Sequence, residues 1–281
     1  GATGLELGQS LHRLGVKMSL LNKGTSLGFL TDPAVLKASE TYFNQEFPLY
    51  QDVAIRSLTV EKDRIKIDFT DPSGNNKTDF FDYALATTGR RPNTNALSLE
   101  NTSLKLDENK VPLFNPQTMQ TSVKHIFIAG DVNNDKPLLH EATDEGKLAG
   151  RNAVDYPEVK CYVRKQPLSI IFSDPQMMAT GKTYQELLKE KKDFAIGEVS
   201  FEKQGRSQVM NVNKGILRLY GDKTDKILVG AEMIGPRAEN IGHLLAWAIQ
   251  QKTKVSDILQ LPFYHPTLEE GVRTALKNLN K

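Results

Sequence analysis

The amino end of the chain is a glycine-spaced turn that runs into an amphipathic helix. Its first eight residues are Gly1-Ala2-Thr3-Gly4-Leu5-Glu6-Leu7-Gly8, and leucines recur along one helical face. A helix that starts in glycines offers unpaired backbone N–H groups and the positive end of its dipole, which suits a phosphate. Gly1 and Gly4 have the spacing of the second and third glycines of the fingerprint G-x-G-x-x-G, although small residues that pack a helix on a sheet explain them equally.

The residues after this helix bear on the choice of nucleotide. The apolar-rich run Val16–Leu21 predicts a strand, and Asn22 and Lys23 follow it. In dinucleotide-binding units an acidic residue about 20 positions past the glycines binds the ribose hydroxyls. An asparagine can still bond a ribose but does not repel a 2′-phosphate. Lys23 could attract such a phosphate or simply belong to a surface turn, so the choice between NAD and NADP stays open.

The next segments predict a second helix and a β-meander. Asp32-Pro33 has the pattern of an N-cap followed by proline at the first helical position. Apolar residues then alternate with polar ones around Ile67, and the turn-rich segment 71–76 separates this strand from a partner that begins near Thr78.

Two continuous apolar runs each end in a glycine turn. They are Tyr83–Thr88 before Gly89-Arg90, and His125–Ala129 before Gly130-Asp131. Such runs predict strands buried on both faces, whose carboxyl ends lie where open α/β sheets bind ligands. Asp131 is therefore a candidate to accept hydrogen bonds from sugar-like hydroxyls, and its alternative role is to close a turn.

Beyond Pro157 the pattern changes to that of a separate α+β domain. A strand is predicted at Leu168–Phe172, a capping box at Thr183–Glu186, and an amphipathic helix from about Asn240. Further strands are predicted at 197–201, 216–220 and 227–234. The fold class predicted for the whole chain is α/β, with a Rossmann-like parallel sheet and a β-meander, followed by this α+β domain.

The last helix is preceded by a histidine and begins with a glutamate. Thr267 and Glu270 have capping-box spacing, and Pro266 ends the incoming segment, so a purely structural role is sufficient. A functional interpretation pairs His265 with Glu270. A carboxylate bonded to one ring nitrogen fixes the tautomer and leaves the other nitrogen to take and return a proton near neutral pH.

Composition excludes several classes of function. The 281 residues carry a formal net charge of +2, which gives no reason to expect nucleic acid or an anionic membrane surface as partner. No apolar run approaches the roughly 20 residues of a membrane helix. A single cysteine, Cys161, rules out an internal disulfide framework and fits a reducing, cytoplasmic setting. We assign no metal ligands.

Four stretches, in order along the chain, resemble motifs of the FAD-dependent pyridine-nucleotide disulfide oxidoreductases, and most closely the dihydrolipoamide dehydrogenase branch. Residues 1–8 resemble the tail of the NAD fingerprint, and the resemblance implies that Glu6 contacts the nicotinamide-side ribose. The segment 88–93, Thr-Gly-Arg-Arg-Pro-Asn, resembles a glycine-arginine turn of the family. It implies a cofactor-binding role for Gly89 and Arg90.

The other two stretches imply the flavin contacts and the proton-transfer pair. Residues 121–131 resemble the second FAD motif, whose aspartate, here Asp131, contacts the ribityl chain, and Leu138-Leu139-His140 follows beside the isoalloxazine. His265-Pro266-Thr267 with Glu270 resembles the dyad that reaches across a dimer interface to the partner's cysteine pair.

The resemblance also implies a domain organisation and shows what is missing. Residues 1–114 are expected to be an NAD(P)-binding domain without its first strand, 115–159 a returning segment of the FAD-binding domain, and 160–281 a dimerisation domain. The first FAD motif and the C-x4-C redox pair of the family are not in this sequence, and Asn22 replaces the usual acid. We therefore expect this chain alone to be catalytically inactive.

The implied function is that of a homodimeric flavoenzyme. Electrons would move between NAD or NADP, FAD and a dithiol/disulfide substrate, with a lipoyl group as the candidate substrate by resemblance. One alternative is a soluble transhydrogenase, which is compatible with Asn22 but has no need of a thiol acid/base. Another is a non-enzymatic nucleotide-binding and dimerisation module.

Overall fold

A computed structural model describes residues 1–279 of the chain. The helices are α1 (Ala2–Arg13), α2 (Pro33–Glu46), α3 (Leu139–Asp155), α4 (Tyr184–Lys189), α5 (Gly205–Val209), α6 (Ala238–Gln250), α7 (Val255–Ile258) and α8 (Glu270–Leu279). The strands are β1 (Leu20–Leu21), β2 (Leu49–Tyr50), β3 (Ala54–Glu61), β4 (Arg64–Thr70), β5 (Asn76–Phe81), β6 (Leu168–Ile171), β7 (Gln176–Gly181), β8 (Phe194–Ser200), β9 (Ile216–Asp222) and β10 (Leu228–Gly235).

The described residues form two compact units. The first unit consists of residues 1–88 and 166–279, and the second consists of residues 89–165. The first unit therefore joins the amino-terminal helices and strands to the carboxyl-terminal sheet. The mixed α/β character predicted from the sequence is confirmed, with both parallel and antiparallel pairing.

The amino-terminal part of the first unit has the predicted order of elements. Strand β1 pairs in parallel with β2, and the run Val16–Leu21 forms a strand only at its last two residues. Helix α2 begins as expected, with Asp32 Oδ1 accepting a hydrogen bond from the Ala34 N–H at 2.8 Å. Strands β3, β4 and β5 form the antiparallel meander.

Two strand predictions are wrong. Residues 83–88 are in neither helix nor strand, with 90% of Tyr83 exposed, and no strand of the described chain pairs with them. Residues 125–129 are also outside any strand; their backbone bonds Met119 and Thr121, and an isolated bridge joins Phe127 to Gln120. Both runs have the composition of a buried strand but lack the neighbouring strands that such a strand requires.

The carboxyl-terminal part of the first unit is a five-stranded antiparallel sheet in the order β6-β7-β10-β9-β8. Helix α6 packs on β7 and β10, and α8 packs on β8 and β9. Their shared core includes Met178, Leu219 and Val272, all of which are buried. The capping box predicted at Thr183 and Glu186 is present at the start of α4.

The two parts of the first unit share a core and a buried polar cluster. Leu5 of α1 and Phe43 of α2 pack in one cluster with Ile234 of β10. Beside it, the fully buried Glu232 carboxylate accepts hydrogen bonds from the backbone N–H groups of Thr31, Asp32 and Tyr184 at 2.6, 2.9 and 2.8 Å. It also accepts one from the Thr31 hydroxyl at 2.7 Å.

A second carboxylate, that of Asp32, continues this buried cluster. Its Oδ2 atom accepts a hydrogen bond from the Tyr220 hydroxyl at 3.0 Å and lies 3.1 Å from Arg218 Nε. Burial, with the nearby Glu232 and Asp32 charges, raises the pKa of Tyr220, so this phenol stays protonated and donates. The start of α2 is thereby fixed to the sheet.

The second unit is built around α3 and long loops, with three short 3₁₀ turns. Asn152 of α3 is fully buried and bonds the backbone of Thr118 and Lys160, which holds the loops on either side of the helix. No helix among the described residues is long and apolar enough to cross a membrane.

Replacement of Glu232 tests the buried cluster. In Glu232→Gln an amide nitrogen faces backbone N–H donors that need an acceptor, so the free energy of unfolding should fall by roughly 2–4 kcal/mol. Urea denaturation followed by circular dichroism measures this. The control Glu198→Gln removes a half-exposed partner of Arg218 and should change stability by under about 1 kcal/mol. Equal effects of the two changes would contradict this role of Glu232.

Candidate functional site

The glycine-spaced turn lies at an uncapped helix start. Helix α1 begins after Gly1, and no side chain caps it among the described residues. A Cβ atom on Gly1 would meet no atom within 4 Å, whereas one on Gly4 would lie 2.7 Å from Thr87 Oγ1. Gly4 therefore lets α1 pack closely against Thr87.

Glu6 lies one turn into α1 and is bonded to the loop after β6. Its Oε1 atom accepts the Phe172 N–H at 2.8 Å. Farther along the same helical face, Gln9 binds both the N–H and the carbonyl of Asp174, at 2.7 and 2.8 Å, and Arg13 binds the Asp174 carboxylate at 2.8 Å. Sequence reasoning missed Gln9 and Arg13. Their spacing of three and seven residues from Glu6 places all three side chains on one face of the helix, and this pattern could have indicated them.

Asn22 is held at the end of β1 by both its backbone and its side chain. Its N–H donates to the Tyr50 carbonyl, and its carbonyl accepts from the Val53 N–H. Its Nδ2 atom donates to the carbonyls of Gly24 and Ser26, at 2.6 and 2.9 Å. Both amide protons are therefore used within the loop, and Oδ1, a pure acceptor, is the side-chain atom left for a ligand. Lys23 is exposed.

In the second unit, the structure brings four of the candidate cofactor residues together. Arg90 Nη1 lies 2.9 Å from Asp131 Oδ2, and its Nη2 donates to the Pro137 carbonyl at 2.9 Å. Gly89 and Gly130 precede the two charged residues, with φ angles of +100° and +77°. Glycine is the residue that adopts such angles without strain.

The remaining flavin candidates lie at the start of α3. Leu138 is the N-cap residue, and Leu139 and His140 form the first helical positions. All three are exposed, Leu139 to 85%. The start of α3 thus presents apolar side chains to its surroundings, an arrangement that suits a flat apolar ligand.

A buried carboxylate of α3, which sequence reasoning missed, shapes the Gly130 turn. Glu145 is 3% exposed and accepts hydrogen bonds from the Gly130 N–H at 2.8 Å and from Asn133 Nδ2 at 2.6 Å. Arg164 forms an ion pair with Glu145 and another with Asp135. These contacts join residues far apart in sequence, so no local pattern predicts them.

The predicted proton-transfer pair is in contact. His265 Nδ1 lies 2.9 Å from both carboxylate oxygens of Glu270. The Thr267 N–H donates to Glu270 Oε2 at 3.2 Å, which is one half of the predicted capping box, while the Thr267 hydroxyl donates instead to the Tyr264 carbonyl. The His265 side chain is 80% exposed, so its Nε2 atom faces outward from the pair.

The surroundings of Glu270 favour its charged form. The hydrogen bond from His265, followed by the one from the Thr267 N–H, lowers the pKa of the Glu270 carboxyl below its ordinary value. Glu270 is thus a carboxylate throughout the neutral range and can hold the ring nitrogen that faces it.

An exposed apolar surface lies beside this pair. A groove there is lined mainly by Leu244, Pro262, Phe263 and Tyr264. Trp247, one turn beyond Leu244 on α6, is 63% exposed, so it is not part of the core of this chain. We call Leu244, Trp247, Pro262, Phe263 and Tyr264 the α6 surface.

Two family models match the chain. Residues 1–146 match the pyridine nucleotide-disulphide oxidoreductase model, and residues 168–276 match the dimerisation domain of the same family.

Among curated proteins, the chain is similar to dihydrolipoyl dehydrogenases. It is 30% identical over 272 residues to that of Geobacillus stearothermophilus, covering 96% of this chain and 57% of that protein. It is 28% identical over 284 residues to that of Thermus scotoductus, covering 100% of this chain and 60% of that protein. The chain thus spans less than two thirds of the length of these relatives.

Solved structures share the fold. The HOCl-induced flavoprotein disulfide reductase RclA from Escherichia coli matches with a TM-score of 0.82 and 17% identity, over 99% of this chain and 62% of that one. LpdA from Mycobacterium tuberculosis matches with a TM-score of 0.82 and 20% identity, over 99% and 60%.

Titration of Glu270 tests the pair. Because His265 is the main cause of the lowered pKa, His265→Gln should raise the titration midpoint of Glu270. The stabilisation from this contact is present above the ordinary glutamate pKa and is lost as the pH falls through the lowered one. Carbon-13 NMR of the Glu270 Cδ atom measures the midpoint. His243→Gln, on α6, is the control and should leave it unchanged, and an unchanged midpoint in His265→Gln would contradict the contact.

Proposed function

The chain belongs to the pyridine nucleotide-disulphide oxidoreductase family, and from this premise we propose that it acts in a flavoprotein disulfide oxidoreductase of the dihydrolipoyl dehydrogenase type. Such an enzyme moves electrons between NAD(P)H, FAD and a dithiol/disulfide substrate. The observation that carries the proposal is the 2.9 Å contact of His265 with Glu270. The names of the curated relatives support it.

In this proposal the pair moves the proton of the substrate thiol. Glu270 holds Nδ1 of His265 and fixes the tautomer, so that the exposed Nε2 takes a proton from a thiol and returns it. Removal of that proton raises the fraction of thiolate, the form that attacks a disulfide. His265 is the catalytic residue, and Glu270 positions it.

The nucleotide would be held by the first unit. The start of α1 carries Gly1 and Gly4 with the spacing of the fingerprint and suits its phosphates, and Gly4 lets the helix approach Thr87. Glu6 and Asn22 are proposed to accept hydrogen bonds from the two riboses. Like a carboxylate oxygen, Asn22 Oδ1 can accept a hydrogen bond but cannot donate one. This favours NAD, whose ribose 2′-hydroxyl can donate to it, over NADP, whose 2′-phosphate cannot.

FAD would be held by the second unit. Asp131 offers an acceptor for ribityl hydroxyls, Arg90 keeps that carboxylate in place, and Gly89 and Gly130 bring the backbone close. The exposed Leu138, Leu139 and His140 fit the face of a flat ring. When bound, FAD supplies the electron transfer between nicotinamide and disulfide.

We assign the domains along the sequence accordingly. Residues 1–114 are the nucleotide-binding part, 115–159 the returning segment of the FAD domain, and 160–281 the dimerisation domain. The C-x4-C pair is not within this sequence, so we expect residues 1–281 by themselves to have no disulfide reductase activity.

The partner is proposed to be a second copy of the protein. The α6 surface exposes Trp247, Leu244 and Tyr264 beside His265, and a homodimer contact would cover such an apolar surface. The substrate class is a dithiol/disulfide, with a lipoyl group as its candidate. A cytoplasmic setting fits Cys161, which is an exposed free thiol.

The two rival functions explain less. A transhydrogenase has no use for a histidine and carboxylate pair that handles a thiol proton. A non-enzymatic module gives no reason for an exposed histidine oriented by a carboxylate.

Nucleotide titration tests the choice between NAD and NADP. NADH should bind the full-length protein more tightly than NADPH by about twofold to tenfold, since the loss of a hydrogen bond is worth about 0.5–1.5 kcal/mol. Asn22→Leu should reduce this preference and Lys23→Ala should not, as measured by isothermal titration calorimetry. Tighter binding of NADPH that is lost in Lys23→Ala would reverse the assignment.

Turnover of the full-length enzyme tests the role of the pair. In His265→Gln, oxidation of dihydrolipoamide should slow by about 10²–10⁴-fold, the usual contribution of a general acid/base. Flavin reduction by NADH, followed by absorbance, should keep its rate because no thiol takes part. Unchanged dithiol turnover would exclude His265 as the catalytic base. The control His243→Gln should behave like the unmodified enzyme.

A further inference from the structure

The loop that carries His265 is held by one side chain from another element. Gln204, the N-cap residue of α5, donates from Nε2 to the Thr267 carbonyl at 2.6 Å. Thr267 lies between the two members of the pair, and its own N–H donates to Glu270. Thr267 therefore connects the amide of Gln204, by hydrogen bonds, to the Glu270 carboxylate that contacts His265.

The other end of the same amide is fixed as well. Gln204 Oε1 accepts the Ser207 N–H at 2.7 Å, which caps α5. Ser207 is fully buried, and its hydroxyl oxygen lies 2.5 and 2.7 Å from the Phe201 and Gln204 carbonyl oxygens, which share its one proton. Because the amide oxygen of Gln204 is bonded to Ser207, the orientation of its amide nitrogen toward Thr267 is fixed. The Gln204 side chain therefore acts as a rigid brace.

We propose that Gln204 is a positioning residue for the His265–Glu270 pair, acting through the Thr267 carbonyl. The proposal rests on the proton-transfer function given above, and it adds a residue outside the motif that carries the pair. The His265 side chain is exposed and the Glu270 side chain is partly buried, so little packing holds the histidine ring in place. A brace from α5 limits the movement of the loop between the two residues.

The variant Gln204→Ser should remove the hydrogen bond to Thr267 while keeping the cap of α5. Serine is a good N-cap residue and can accept the Ser207 N–H, but it is too short to reach Thr267. Gln208→Ser is the matched control on the same helix, since the Gln208 side chain bonds, among the described residues, only the Glu202 carbonyl, at 3.4 Å. Both variants are neutral, so neither adds a charge near Glu270, His265 or Arg273.

The first measurement requires no activity. In Gln204→Ser the titration midpoint of Glu270, followed by carbon-13 NMR of Cδ, should rise toward the ordinary value, because its hydrogen bonds from Thr267 and His265 weaken. Gln208→Ser should leave the midpoint unchanged. An unchanged midpoint in folded Gln204→Ser would overturn the proposal and leave Gln204 with a capping role alone.

The second measurement uses turnover of the full-length enzyme. Gln204→Ser should lower kcat/KM for dihydrolipoamide by about threefold to tenfold, the fold-change for one lost hydrogen bond, and shift its pH profile. In a His265→Gln background the same change should have no further effect, because the brace acts through that ring. Additive losses would overturn the positioning role. If Gln204→Ser does not fold, Gln204→Asn, also a good N-cap and one methylene shorter, replaces it in both measurements.

If His265→Gln leaves turnover unchanged, the proposed function fails, while the Glu270 titration still decides whether Gln204 braces the loop. The two failures are therefore distinguishable.

Discussion

One buried carboxylate, that of Glu232, joins parts of the chain about 200 residues apart in sequence. It accepts three backbone N–H groups and a hydroxyl, and the carboxylate itself is fully buried. An ionised group in such a place is stable only when its lone pairs are fully used, as they are here. The start of α2 and the strand β10 are therefore fixed to each other. Because α1 packs in the same core, the helix with the fingerprint glycines and the sheet beside the His265 pair belong to one unit.

Sequence patterns correctly predicted the elements that are determined by residues close to one another in the chain. The cap at Asp32, the meander around Ile67, the capping box at Thr183 and the amphipathic α6 all depend on residues within a few positions of one another. The His265–Glu270 contact belongs to this group, because five positions in a loop and a first helical turn already place the two side chains in reach. Prediction from sequence was good wherever the partner was near in the chain.

Prediction failed where the partner is distant or missing from the described residues. The run ending at Thr88 has the composition of a buried strand, but a strand exists only by pairing, and nothing described here pairs with it. Contacts such as Glu145 with Arg164, or Gln9 with Asp174, give no periodic signal, since their spacing reflects the fold. The brace from Gln204 is of the same kind. The sequence therefore indicated the candidate site residues, but not the side chains that hold them in place.

The carboxylates of Glu232 and Glu270 differ in burial, and they therefore differ in what their hydrogen bonds contribute. Glu232 is fully buried, so loss of its hydrogen bonds leaves unpaired polar groups and lowers the free energy of unfolding. Glu270 faces a histidine that is 80% exposed, and an ion pair of that kind adds little to stability. What the exposed pair supplies is orientation: one ring nitrogen is held and the other is open to a substrate. Orientation at an exposed site has to be imposed from outside the pair, and here it comes from the Thr267 N–H and, through the Thr267 carbonyl, from Gln204. In the proposed function, the group that stabilises the fold, Glu232, is therefore distinct from the pair that handles the thiol proton, and the orientation of that pair depends on contacts from outside it.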